Sequence, residues 1–226
     1  KQCLTLYTIA ALHSHLGDDE KFLEHMERCY DVATKSRLCI QLTWNLLGFA
    51  KFHQQHSNIE KSLSYYKDAL DLGKKTRYAE GIMLALGGLT EILITQGRDD
   101  EAFSYLKERV SFLHNQGDYR TEAEVRKTVA TIEEGRNNVS EEVQNWNAVR
   151  DLKNRLGDDE GELEALESLA RLCRVQDSFP HQALEFYQEA LLIAQKKGDS
   201  SKQGILLNSI AVLEWTRADY RSALHY

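Results

Sequence analysis

Six times along this chain the same kind of segment opens, at Phe22, Ser62, Ala102, Glu142, Ala183 and Ala223, at successive intervals of 40, 40, 40, 41 and 40 residues. Each of these leaders is followed by an apolar neighbour, and all but Glu142 are themselves small or apolar. A period near forty across all 226 residues makes the sequence a single array of similar units. It leaves no room for a separate catalytic domain. Residues 1–226 are therefore expected to form one repeat domain, with units at about 3–42, 43–82, 83–122, 123–162 and 163–203 and an incomplete one at 204–226.

A second stripe precedes each leader, its small member twelve or thirteen residues upstream: Ile9-Ala10, Phe49-Ala50, Leu89-Thr90, Val129-Ala130, Leu169-Ala170 and Ile210-Ala211. Three residues before each bulky member stand Leu6, Leu46, Leu86, Leu166 and Leu207, with Arg126 the exception. That is the one-turn spacing of a buried helical face. Downstream, Leu23, Leu63, Phe103, Val143, Leu184 and Leu224 recur, the first five followed three residues later by Met26, Tyr66, Leu106, Trp146 and Tyr187. Each unit thus holds two helices, and the large residues of the second can plug gaps against small ones next door.

Short polar turns separate the helices, such as Leu16-Gly17-Asp18-Asp19, Gln96-Gly97-Arg98-Asp99, Arg136-Asn137-Asn138 and Arg217-Ala218-Asp219. In them Gly or Asn can take the left-handed conformation while Asp caps the next helix. The string Leu-Gly-Asp-Asp-Glu occurs at Leu16 to Glu20 and again at Leu156 to Glu160, three and a half repeats on, so one stop-and-cap signal serves within and between units. Turns this short permit only antiparallel neighbours. One proline, Pro180, and heavy use of Leu, Ala, Glu, Lys and Gln favour helix almost everywhere.

A composition of 42% hydrophobic and 28% charged residues suits a folded domain, and the net charge of −7 with interspersed bases speaks against direct nucleic-acid binding. No apolar run approaches the ~20 residues of a membrane span. Cys3, Cys29, Cys39 and Cys173 fall at apolar-patterned positions without Cys-x-x-Cys spacing, so they read as small core residues in a reducing compartment, the cytoplasm, with the nucleus also open. The start at Lys1 instead of Met points to a processed or excised piece.

The string Ala183-Leu184-Glu185-Phe186-Tyr187-Gln188-Glu189-Ala190-Leu191, followed by Ile193-Ala194-Gln195-Lys196-Lys197-Gly198-Asp199, resembles the tetratricopeptide repeat. The forty-residue period and the Lys-Lys-Gly-Asp link are similar to the longer-repeat subgroup of kinesin light chains, rapsyn and Pins-type scaffolds. Glu142, Arg126 and Glu133 depart from the pattern in the fourth unit, Pro180 accompanies a one-residue insertion, and the second unit also reads with Gly48 in place of Ala50 at its small position. The resemblance implies an all-α fold, a right-handed superhelical solenoid of about six antiparallel helix-turn-helix repeats. It also implies that the first helix of each pair lines a concave face that holds partners.

Carried over position by position, that face comprises Tyr7, Ala11, Trp44, Lys51, Gln54, Gln55, Glu91, Thr95, Lys127, Thr131, Glu134, Glu167, Arg171, Arg174, Asn208, Ser209, Val212 and Trp215. Asn208-Ser209 resembles the Asn-rich stretch with which such repeats pair with a peptide backbone. Arg171 and Arg174, one turn apart, form a candidate carboxylate clamp, with Glu164 and Glu167 on the same helix as competing neutralisers. Trp44 and Trp215 read equally as ligand platforms or as plugs between repeats.

Eight histidines match no metal or catalytic spacing, and no phosphate loop, nucleophile elbow or kinase motif occurs, so no cofactor, metal or catalytic residue is expected. Gly87-Gly88 inside a predicted helix costs about 1 kcal/mol per glycine and signals close approach of a neighbouring helix or a ligand backbone. The expected function is a non-enzymatic scaffold or adaptor that binds an extended or helical peptide segment of a partner protein, with self-association left open. The alternative is the sensor or oligomerisation arm of a larger regulator, such as a nucleotide switch, motivated by an end at Tyr226 only a few residues into a helix.

Overall fold

A computed structural model describes residues 2–175, 180–217 and 219–224. They form twelve helices: α1 (Gln2–His15), α2 (Asp19–Lys35), α3 (Cys39–Gln55), α4 (Ile59–Thr76), α5 (Ala79–Thr95), α6 (Asp99–Gln116), α7 (Tyr119–Gly135), α8 (Val139–Leu156), α9 (Asp159–Val175), α10 (Pro180–Lys197), α11 (Ser200–Thr216) and α12 (Tyr220–Ala223). No strand occurs among the described residues, and none of their helices is long and apolar enough to cross a membrane. The fold class is an all-α repeat solenoid of antiparallel helix pairs. Two compact units divide it, Lys1–Arg109 and Val110–Tyr226.

The turns set the spacing. A left-handed residue ends the helix at Gly17, Arg37, Ser57, Arg77, Gly97, Gly117, Asn137, Gly157 and Gly198, so from 17 to 157 the chain reverses every twenty residues. After each of these the next amide reaches back five residues, as when the Asp18 N–H donates to His13 O at 3.0 Å, Asn58 to His53 O at 2.8 Å and Asp158 to Lys153 O at 2.9 Å. This closure satisfies a carbonyl that the helix end would otherwise strand. Aspartates then cap the following helix: Asp18 accepts from Lys21 N, Asp118 from Thr121 N, Asp158 from Gly161 N and Asp199 from Lys202 N. The expected turns at Gly17, Gly97 and Asn137 are in place, whereas Arg37, Ser57 and Arg77 carry no glycine signal. Ala218, within the fourth expected turn, lies outside the described residues.

In the first unit, Phe22 and Phe52 stack with ring centroids 4.8 Å apart over Ala10, Met26 and Phe49. Cys3, Leu6, Cys29 and Ala33 make a second cluster. In the second unit, Leu166, Ala170, Ala183, Tyr187, Leu206 and Ile210 share one cluster, and Trp146 closes another over Ala130, Val149 and Leu169. Ser62 at a leader position is fully buried and donates its hydroxyl to Ala50 O at 2.7 Å. Large residues do plug gaps next door: a Cβ on Gly48 would lie 2.5 Å from Met26 Cε. Ala50 and Gly48 therefore both serve, Ala50 in the core and Gly48 as the seat of Met26.

One cysteine departs from expectation. Cys3, Cys29 and Cys173 are buried, but Cys39 is exposed, because as the first residue of α3 it follows the Arg37 turn instead of lying on the packed face. Two of the fourth unit's three charged departures, Arg126 and Glu133, are paired within α7 and its surroundings. Glu122, 1% exposed, accepts from Arg126 Nε at 2.8 Å and lies 3.2 Å from His114 Nδ1, and buried Glu133 accepts from Arg136 at 3.1 Å. Glu142 is 2% exposed with one carboxylate oxygen unpartnered. Burial first, and the Glu134 charge second, push its carboxyl above the ordinary range.

Gly157→Ala should cost about 1 kcal/mol and Arg77→Gly should gain part of that amount, both read from urea midpoints, because only glycine is at ease in the left-handed region. A carboxyl whose folded pKa is raised loses stability as pH rises through the ordinary carboxylate range to its folded value. Glu142→Gln should therefore melt higher than the parent at neutral pH, with the difference vanishing at acid pH in a calorimetric pH series.

Candidate functional site

In the first unit α1, α3 and α5 lie side by side, each the first helix of its pair. Between their exposed faces runs a cavity of about 670 Å³. That falls within the range of roughly 300–1,000 Å³ typical of ligand sites. Tyr7, Trp44, Lys51, Gln54, Gln55 and Glu91, all chosen from sequence, line it together. A second cavity of about 300 Å³ shares Tyr7, Gly48, Lys51 and Gln55 with the first and adds Ala11, Ser14, His15 and Phe22. The two adjoin at those shared residues.

Tyr7 meets Trp44 edge-on, with centroids 6.3 Å apart. Burial, then the neighbouring Cys29, raise the Tyr7 phenol above its ordinary pKa, so its O–H stays a donor. Trp44 is half-buried in the groove wall, whereas Trp215 is 63% exposed and plugs nothing among the described residues. Tyr66, rising from α4, donates to Gln54 Oε1 at 3.2 Å, and burial followed by the Glu91 charge keeps it protonated. The Gln54 amide N–H groups are left for other acceptors. Lys51 has no ion-pair partner among the described residues.

Several lining residues were not among the sequence candidates: Leu47, Gly48, Tyr66, Met83, Leu84, Gly87, Gly88 and Arg109. The readable signal was the glycine pair. A Cβ on Gly88 would overlap the Tyr66 ring, while one on Gly87 would stand 3.7 Å from Arg109 Nη2. Side chains from the second helices α4 and α6 thus reach the groove through the thin wall of α5. Arg109 makes no hydrogen bond or ion pair among the described residues, its Nε is shielded from water without an acceptor, and burial alone pulls its pKa down.

The candidates elsewhere behave differently. Thr95, Thr131 and Ser209 donate their hydroxyls to Ile92 O, Lys127 O and Ile205 O of their own helices. Lys127 pairs with Glu164 at 2.6 Å, Arg171 with Glu134 at 3.6 Å, and Glu167 with Lys202 at 3.3 Å. Arg171 is therefore neutralised from α7, not by the glutamates of its own helix. Arg174, Asn208 and Val212 are exposed and line neither first-unit cavity. Glu167 borders a small cavity of about 240 Å³ with Glu160, Glu164, Lys197 and Lys202. His13 stacks on His25 at 5.5 Å, and no group of three metal-ligating side chains occurs among the described residues.

Solved structures share this architecture. BtubC (BKLC) from P. vanneervenii is 15% identical, with 97% of this chain and 87% of that one aligned at a TM-score of 0.57. A signal transduction ATPase with numerous domains from Pyrococcus horikoshii, which carries a tetratricopeptide repeat sensor, is also 15% identical. Its TM-score is 0.56, over 93% of this chain but only 32% of its own length. The fold is the tetratricopeptide-repeat fold. A Rap protein complexed with competence and sporulation factor has the same tetratricopeptide-like arrangement at 12% identity, 96% and 65% coverage and a TM-score of 0.53. No family model and no curated relative matches the chain by sequence.

Gly88→Ala should destabilise by about 1–3 kcal/mol, since the Tyr66 ring has to move. Gly87→Ala, with room for its methyl, should stabilise by up to about 1 kcal/mol through helix propensity. Chemical denaturation of the two single variants separates crowding from propensity.

Proposed function

We propose that the chain is a non-enzymatic interaction scaffold whose first-unit groove holds an extended segment of a partner protein. The observation that carries this reading is the convergence of Tyr7, Trp44, Lys51, Gln54 and Gln55 on one cavity. Aromatic faces offer apolar contact, and unspent amide and ammonium donors offer hydrogen bonds to a main chain, which is how extended segments gain affinity without chemistry. The Rap protein held with competence and sporulation factor supports a binding role for this fold. Free thiols at all four cysteines support a reducing, cytoplasmic setting.

A second reading makes the array the sensor or oligomerisation arm of a larger regulator. The tetratricopeptide repeat sensor of the Pyrococcus horikoshii ATPase favours it, this chain corresponding to under a third of that protein. The two readings predict different flanking sequence: a phosphate-binding loop in the same open reading frame supports the regulator, and further repeats alone support the scaffold.

Cross-linking mass spectrometry on captured complexes tests the groove. Trp44→Ala with Lys51→Glu should lower capture of the partner about tenfold or more with little change in Tm. Asn208→Ala, distant in sequence and exposed, should leave capture unchanged. Equal capture by the groove double variant and the parent would sink the assignment.

A further inference from the structure

Arg109 is the oddity of the first unit. It arises from α6, a second helix, yet its guanidinium emerges in the cavity wall built by first helices, lying across the bare face of Gly87. Arginine presents five N–H donors and no acceptor, and a shielded guanidinium is ordinarily paired with a carboxylate or carbonyl. Among the described residues Arg109 has no such partner: Nε is buried without an acceptor, and no ion pair forms there. Glu91, the only carboxylate among the cavity's lining residues, stands exposed and unpaired with it. Other cations of the chain show what is missing, since Lys127, Lys153, Arg126 and Arg171 each find a glutamate within 4.0 Å.

We infer that Arg109 is the receptor for an acidic side chain of the bound segment, an aspartate or glutamate that enters beside Gly87 and pairs with the guanidinium fork. This rests on the groove reading above and names the chemistry the groove selects. Position argues for a side chain over a chain terminus. The guanidinium is recessed in the wall, so a carboxylate on a flexible stem reaches it while the main chain passes along the Gln54 and Gln55 amides. Lys51, exposed where the two cavities meet, adds a positive charge that steers an acidic segment toward the site. An uncompensated half-buried cation weakens the unbound fold, and a binding site is where such a cost is retained.

Random short peptides displayed between flexible linkers, with no free terminus, are panned on the parent chain, on Arg109→Met and on Arg109→Lys. Enriched peptides are then made as fluorescein-labelled amides and titrated by polarisation. The parent should enrich peptides with one fixed Asp or Glu, and its conversion to Asn or Gln should weaken binding about tenfold or more. Arg109→Met should bind acid and amide versions alike while melting no lower than the parent, and Arg109→Lys should discriminate to an intermediate degree. Enrichment with no acidic position overturns this inference and leaves the groove standing, as does a requirement for a free C-terminal carboxylate. A drop in Tm for Arg109→Met or for Glu91→Gln also overturns it, because Arg109 would then be satisfied within the fold. Failure to enrich any peptide that competes for the groove overturns the groove reading and this one together.

Discussion

The chain's reversal every twenty residues is the constraint on which everything else depends. A left-handed residue at 17, 37, 57 and onward to 157 fixes where each helix stops, and the backward hydrogen bond across five residues fixes the angle at which the next begins. Helices of nearly equal length result, 17 or 18 residues through the middle of the array. Equal lengths bring Met26 level with Gly48 and Tyr66 level with Gly88, so a residue pair that works once works again forty positions later. Geometry here outranks residue preference. Arg37, Ser57, Arg77 and Asn137 adopt the conformation although each carries a steric penalty of about 1–2 kcal/mol that glycine avoids.

That hierarchy explains what could be read in advance. The apolar pairs such as Phe49-Ala50 and Leu169-Ala170 report burial directly, because removing apolar surface from water is what chiefly drives folding and it recurs with the fold's own period. Cys39 defeats the same logic: an apolar-looking position at a helix start faces water because the packed stripe begins a turn later. The groove was legible on its near side, from Tyr7 to Glu91, since those residues sit on the helices that line it. Tyr66 and Arg109 were not, because their role depends on reaching through a neighbouring helix, and only the glycines at 87 and 88 betray the opening.

Charge shows the same divide. Lys51, Lys127 and Arg171 look equivalent along the sequence, each a base on a first helix. What separates them is whether a neighbouring helix supplies an acid at the matching height. Glu164 and Glu134 do so for Lys127 and Arg171, tying α7 to α9 with ion pairs of modest worth, since both partners are partly solvated. The buried Glu122 with Arg126 is a different case: Arg126 occupies the site where other units place Leu, and its pairing with Glu122 keeps the unit folded despite its poor apolar match.

Groove and core therefore compete for the same wall. At the column where α3 carries Leu47 and α5 carries Gly87, α7 and α9 carry Lys127 and Glu167, both engaged in ion pairs. Removing the side chain at position 87 surrenders helix propensity and leaves a guanidinium exposed to the cavity instead of covered. A sequence optimised only for stability would place Ala there and an apolar residue at 109. The chain does neither, and both departures meet at one point, the wall of the first-unit cavity. A single such departure is ordinary in a repeat array; two that converge on the same open surface are the pattern expected where stability has been traded for recognition.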